Sequence, residues 1–152
     1  MCLLVLTGLC LAVMAASAPD ATPQVTLIAE QRIAIDSTLT TYRFVPAENL
    51  VQGQEVHYTL RISNPSEFAL REVQVTQAVP GNTRYVEKSA TGSGAELSFS
   101  IDDGQSFAGA GALKNPDGSA AQAAQVTHIR WQFPYSLPPQ SVVLARFRAV
   151  FQ

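Results

Sequence analysis

Hydrophobic and polar residues alternate along most of the chain after residue 24, as they do in β-strands with one buried face. Residues 55–63 place four apolar side chains on one face and polar side chains on the other: Val56, Tyr58, Leu60 and Ile62. Similar patterns predict further strands over residues 25–35, 38–45, 70–77, 83–88, 95–101, 126–133 and 141–151. These segments predict a chain built mainly of antiparallel strands.

Turn signals separate these strands, and no segment of comparable length carries a helical stripe. Residues 64–66 read Asn-Pro-Ser, and residues 79–82 read Val-Pro-Gly-Asn. The first sequence ends a strand, and the second favours a reversal of the chain, because proline presets one backbone angle and glycine tolerates positive φ. Several short strands with turns between them predict a β-sandwich or a barrel.

Residues 108–124 do not show this pattern of short strands separated by turns. They are rich in alanine and glycine, and only residues 115–118, Asn-Pro-Asp-Gly, carry a turn signal. A loop of this length is unusual in a compact domain and is either functional or mobile. It lacks aromatic and charged anchors, which favours a mobile or decorative segment over a ligand-binding one.

The first residues predict export. Residues 3–16 form one uncharged apolar run that ends in small residues, and it is shorter than the roughly 20 residues of a membrane span. This is the pattern of a signal peptide over residues 1–18, although no basic residue precedes the run. Cleavage before Ala18 or after Ala21 avoids a proline directly after the cut. An uncleaved anchor is the alternative.

Both cysteines, Cys2 and Cys10, lie in this segment. The domain predicted over residues 22–152 therefore has no cysteine for a disulfide or a thiolate metal site. Leu9 precedes Cys10 where a lipoprotein signal requires a small residue, so lipidation is not favoured. An exported domain without disulfides suggests a bacterial envelope, with a periplasmic, surface-bound or secreted location.

Charge excludes some classes of partner. The chain has 152 residues, 14% of them charged, and its net charge is −2. No basic run offers a footprint for nucleic acid, and no acidic tail is present. Membrane contact is expected only through the N-terminal segment, if it stays uncleaved.

One motif raises the question of sugar chemistry. Ser100, Asp102, Gly104 and Phe107 have the spacing of an Asp-box, which repeats in sialidase-type propellers. A single copy in so short a chain cannot form a propeller, and a glycosidase also needs a carboxylate pair in a cleft. A hairpin turn over residues 102–104 is the favoured interpretation.

Calcium is the weaker alternative at the same place. The candidate ligands are Asp102, Asp103 and Asp117, but calcium takes six to eight oxygen ligands and the spacing of an EF-hand is absent. No other cofactor or metal is predicted. His57 and His128 are the only histidines, and alternation places both on polar faces, where two ligands do not complete a zinc site.

The sequence shows no set of residues typical of a catalytic site. The chain has no nucleophile-elbow motif and no evident set of Asp and His partners for a serine, so we expect no enzyme and no catalytic residue. Trp131 alternates with aliphatic residues and is expected in the core. Arg130, Arg146 and Arg148 are expected to point outward and to form a basic strip if their strands pair.

A set of short motifs resembles one family. These are Gly53-Gln54-Glu55-Val56 with Tyr58, Ser63-Asn64, Val73 with Val75-Thr76, Val79-Pro80 and Tyr85-Val86. Together with residues 100–107 and 127–131 they are similar to the conserved-repeat family of bacterial surface domains (domain of unknown function, number eleven). The similarity spans roughly residues 46–151. Gln77 and Pro65 stand where the family often has Asp and Gly.

The resemblance implies an immunoglobulin-like sandwich of about seven to nine strands, usually exported and often repeated in envelope proteins. It implies no catalytic residues. A single copy favours a small free-standing envelope protein with a structural or protein-interaction role, whose exposed last strand pairs with the edge of an unknown envelope partner. The alternative is a carbohydrate- or calcium-linked binding module that uses the loops around residues 102–118.

Overall fold

A computed structural model describes residues 22–38 and 40–152, which form two antiparallel sheets. The predicted signal segment and its cleavage positions lie outside the described residues. The strands are β1 (Gln24–Ala34), β2 (Tyr42–Pro46), β3 (Glu55–Ser63), β4 (Gln74–Ala78), β5 (Thr83–Tyr85), β6 (Thr91–Gly92), β7 (Glu96–Ser100), β8 (His128–Gln132) and β9 (Val142–Phe151). The predicted all-β sandwich is confirmed.

The two sheets differ in size. The larger sheet has the order β2-β1-β3-β9-β5, with β6 pairing beside β5 along β9, and the smaller sheet has the order β4-β8-β7. The chain passes from one sheet to the other four times. Because the smaller sheet has only three strands, it covers only part of the larger one.

The core lies between the facing surfaces of the two sheets. The four alternating residues of β3 that the sequence placed inward are all buried. Tyr58 stacks on Phe147 of β9 at a ring-centroid distance of 4.7 Å. Trp131 of β8 is fully buried, as predicted, and its indole N–H donates to the carbonyl of Thr91 at 2.9 Å, which links the smaller sheet to β6.

A buried polar residue joins two connections at one end of the sandwich. The side-chain amide of Asn64 donates to the carbonyls of Phe68, Leu137 and Pro138 at 2.7–3.0 Å, and its oxygen accepts from the backbone N–H of Ser66. A buried amide needs such partners, since an unsatisfied polar group in the interior is costly. The β3–β4 and β8–β9 connections are thereby held together.

One expectation about strand pairing is wrong, and the condition attached to another is not met. The last strand is not exposed at an edge, because β9 lies between β3 on one side and β5 and β6 on the other. The β8 and β9 strands do not form a hairpin, since they belong to different sheets. Arg130 therefore lies on the smaller sheet, and Arg146 and Arg148 lie on the larger one. The predicted basic strip of three arginines does not exist.

Candidate functional site

The Asp-box spacing forms a hydrogen-bonded reversal after β7. The chain folds back so that Phe99 and Ala108 exchange both backbone hydrogen bonds, at 2.8 and 3.0 Å. The buried hydroxyl of Ser100 accepts from the backbone N–H groups of Asp102 and Gly104 and donates to the Asp102 carboxylate at 2.6 Å. Gly104 has a φ of 83°, which explains why glycine suits this position.

The Asp102 carboxylate is committed to this turn. It accepts from the hydroxyl of Ser100 and from both the hydroxyl and the backbone N–H of Ser106. These hydrogen bonds hold the pKa of Asp102 well below its usual range, because they stabilise the charged form. The motif acts as a structural corner in which the carboxylate replaces missing backbone partners.

The three candidate calcium ligands lie in two turns. Asp117 accepts from the N–H and hydroxyl of Ser119 at 2.9 and 2.6 Å, within the turn at residues 115–118. The backbone N–H of Asp103 donates to the hydroxyl of Thr127 at 3.1 Å. Within residues 22–38 and 40–152, no group of three or more His, Cys, Asp or Glu side chains is placed to hold a metal ion.

The motif's aromatic residue packs on the smaller sheet. The guanidinium carbon of Arg130 lies 3.5 Å from the ring centroid of Phe107, a cation–π contact. Arg130 also donates to the hydroxyl of Thr76 at 3.3 Å. This arginine is therefore held within its own sheet.

The long loop is folded against the sandwich. It contains two short 3-10 helices, Ala110–Ala112 and Ala123–Gln125, and a turn between them. The side chain of Gln125 donates to the side-chain oxygen of Asn115 at 2.9 Å, which ties the second helix to the turn. The expectation of a mobile or decorative loop did not include this hydrogen bond.

A cleft of about 860 Å³ lies where this loop passes between the edges of the two sheets. Its inner wall includes Tyr85 and Phe99, whose rings lie 5.5 Å apart. Glu87 and Lys88 stand at its rim, and the rest of the lining is mostly alanine, leucine and valine. The volume lies in the range of small-molecule sites, and the lining suits an apolar ligand.

The sequence interpretation missed this cleft. Its available signal was the run of small side chains in the loop, which leave space.

The two histidines lie on different sheets. His57 is on the outer face of the larger sheet, where its Nε2 lies 3.2 Å from a Glu55 carboxylate oxygen. Arg148 donates to the same carboxylate at 3.0 Å. Burial lowers the pKa of His57, against the opposing charge of Glu55, and so favours the uncharged ring. His128 lies on the outer face of the smaller sheet, so the two rings cannot share a metal ion.

The larger sheet ends in an open edge. Strand β2 pairs only with residues 30–34 of β1, which leaves residues 24–28 of β1 paired on one side, to β3. The carbonyl of Ala29 accepts from Ala47 on the β2 side. Alternation along a strand then points the backbone groups of Val25 and Leu27 to the same side, where the described residues provide no partner.

Comparisons with protein-family models, with curated proteins and with solved structures find no match for this chain. The resemblance to the conserved-repeat domains therefore stays a prediction. In the part of the chain that the structure describes, no helix is long and apolar enough to cross a membrane.

Proposed function

We propose that this protein is an exported, non-enzymatic β-sandwich module that binds another protein in the bacterial cell envelope. The observation that carries this proposal is the open edge of β1, which presents unpaired backbone groups beside exposed Val25 and Leu27. An extended segment of a partner can add to such an edge as a further strand. Backbone hydrogen bonds then give affinity, and the two apolar side chains give the partner a surface to cover.

The smaller sheet supports this choice of edge. It leaves the β1 end of the larger sheet uncovered, so a partner strand meets no steric obstacle from the described residues there. Natural proteins usually blunt a free edge with charges, prolines or a covering element. Residues 24–28 contain none of these devices.

Size-exclusion chromatography with light scattering tests the proposal, using the protein alone and with an extract of its own envelope. We expect a co-eluting partner that is lost with Leu27→Lys, because a charge on an edge strand opposes strand addition. Gln74→Lys is the matched control, since it places the same charge on edge strand β4 of the other sheet. A protein that stays monomeric and captures no partner would contradict the proposal.

Export rests on the apolar run at residues 3–16 and is tested separately. Mass spectrometry of the chain recovered from the envelope fraction should show a mature form beginning at Ala18 or at Thr22. A full-length chain in the membrane fraction would favour the uncleaved anchor.

The second candidate function is a carbohydrate- or calcium-linked binding module, favoured by the cleft beside the loops around residues 102–118. Tyr85 and Phe99 are both buried, so they do not offer the exposed ring faces on which sugars stack. A glycan array and isothermal titration test this function directly. Saturable glycan binding that disappears with Asp103→Ala would replace the leading proposal, and a melting temperature lowered by EDTA would support calcium.

A further inference from the structure

The outer face of the larger sheet carries half of the chain's basic residues. Strand pairing places five arginines on this face against two glutamates, Glu30 and Glu55: Arg32, Arg61, Arg84, Arg146 and Arg148. The whole chain has ten Lys and Arg and a net charge of −2. Positive charge is thus concentrated on one face of an acidic protein.

Two of these arginines form the centre of what we call the arginine patch, defined as Ile28, Arg61, Val142, Leu144 and Arg146. In the register of β3 and β9, Arg61 pairs with Leu144 and Thr59 pairs with Arg146, so the two arginines are diagonal neighbours. Diagonal backbone positions in a sheet lie about 7–8 Å apart, within reach of long side chains. Ile28 continues the same row on β1, opposite Thr59.

The charges of the patch are not neutralised among the described residues. The ion pairs found there join Glu55 to Arg148 and Glu87 to Lys88. Both glutamates of the face lie outside the patch, toward the β2 end of the sheet. Arg61 and Arg146 are exposed, and their like charges oppose each other. A carboxylate placed between them would relieve that repulsion.

Apolar side chains surround these two charges. Ile28, Val142 and Leu144 are each about 40% exposed, and they flank the arginines on both neighbouring strands. A depression of about 420 Å³ adjoins the patch between β6 and β9, and Arg146 and Leu144 form part of its wall. Arginine beside exposed apolar residues is the composition enriched at protein interfaces, from which lysine is depleted.

We propose that the arginine patch is a docking surface for an acidic protein, one that presents carboxylates flanked by apolar side chains. The planar guanidinium binds a carboxylate through two parallel hydrogen bonds, which specifies such a partner. A second copy of this chain is not the occupant, because two such faces would bring positive charge against positive charge. An anionic membrane is disfavoured because the chain as a whole is acidic, with a net charge of −2.

This inference rests on the proposed interaction function and names its partner chemistry. The test uses the full chain in its native host, with a photo-crosslinking amino acid at Leu144, at Val25 on the open edge of β1, or at Gln74 on the smaller sheet as the control. We expect a protein crosslink from Leu144 and none from Gln74. Arg61→Glu and Arg146→Glu should each reduce the yield about tenfold, since charged pairs in an interface control dissociation. Arg71→Glu, in an exposed connection, should leave it unchanged.

The partner identified by mass spectrometry should present an acidic surface, and changing one of its carboxylates to lysine should restore crosslinking to Arg146→Glu. An unchanged melting temperature shows that each variant is folded. Crosslinks from Leu144 to lipid, to a second copy, or to a protein insensitive to both charge reversals would overturn the patch proposal. A crosslink from Val25 without one from Leu144 would overturn the patch alone, and the absence of both would overturn the interaction function as well.

Discussion

Strands β1 and β3 are neighbours in one sheet, and both alternate, yet they differ in burial. The inward residues of β3 face the smaller sheet, and Leu60 is fully buried. Its partner in the register, Leu27 of β1, points to the same side but remains 38% exposed. The difference arises because the three-stranded sheet does not extend as far as β1. Alternation therefore specifies which way a side chain points, whereas the opposite layer decides whether it is buried.

Truncating the two paired leucines gives the largest expected contrast. Leu60→Ala should lower the free energy of unfolding by about 2–5 kcal/mol, because it leaves a cavity in the packed core. Leu27→Ala should cost about 1 kcal/mol or less, since little apolar area is lost from a partly exposed site. Urea denaturation of the two variants measures both values. Equal costs would mean that β1 is covered in solution.

The seam between β6 and β8 tests how tightly the covered region is packed. A Cβ atom at Gly92 would lie 2.8 Å from Cδ1 of Trp131, so Gly92→Ala should cost about 1–3 kcal/mol by overpacking. At Gly81 the added atom meets nothing within 4 Å, and Gly81→Ala should stay within about 0.5 kcal/mol of the parent. Thermal melts compare the pair. If Gly92→Ala leaves the melting temperature unchanged, the Trp131 side chain can move to make room for the added methyl group.

Two serine-capped turns extend the comparison from strands to loops. Ser100→Ala removes a buried acceptor from two backbone N–H groups and should cost about 1–3 kcal/mol. Ser119 makes similar contacts with Asp117 in an exposed turn, so Ser119→Ala should cost about 0.5 kcal/mol or less. Denaturation curves again provide the measurement. The interpretation of residues 100–107 as a structural corner fails if the order is reversed.

As the pH is lowered, the turn of the β1–β2 hairpin should lose stability at a higher pH than the turn that contains Asp102. Hydrogen bonds from Thr41 and Thr38 lower the pKa of Asp36 to about 2 from its ordinary value of 3.8. A lowered pKa in the folded state adds stability that is complete above the ordinary value and is lost as the pH falls from about 4 toward 2. The pKa of Asp102 is depressed further, so its turn should persist to lower pH.

Amide hydrogen exchange between pH 5 and pH 2 checks this small effect. Exchange at Thr38 and Thr41 should rise on acidification, after correction for the intrinsic rate, earlier than exchange at Gly104. Asp36→Asn should remove the pH dependence at the hairpin turn and leave that at Gly104 unaffected. Simultaneous loss at both turns would indicate a single global transition instead.

The strands were largely predictable from the sequence, because each depends on local alternation and on turn residues. The prediction over residues 55–63 matches β3 residue for residue, and that over residues 141–151 differs from β9 by one residue. The two-residue strand β6 was missed, since Thr91 and Gly92 are too few to show a period. The inward position of Trp131 was predicted, but its hydrogen bond to β6 was not.

The candidate sites were less predictable. The Asp-box motif was recognised, and its role as a turn follows from short-range hydrogen bonds. The cleft beside the long loop was missed because its walls come from β5, β7 and the loop, which are distant in sequence. The placement of Arg130 apart from Arg146 and Arg148 was not predictable for the same reason, since the predicted strip depended on β8 pairing with β9 and these strands join different sheets.

By itself, the sequence determined the strand periods, the facing of side chains and the local turns, because these depend on interactions between residues close together along the chain. Only the tertiary structure decided which strands pair and which sheet each one joins. It placed Arg61 beside Arg146, left the edge of β1 open and enclosed β9. These outcomes depend on contacts between distant segments, whose energies no local pattern of residues encodes.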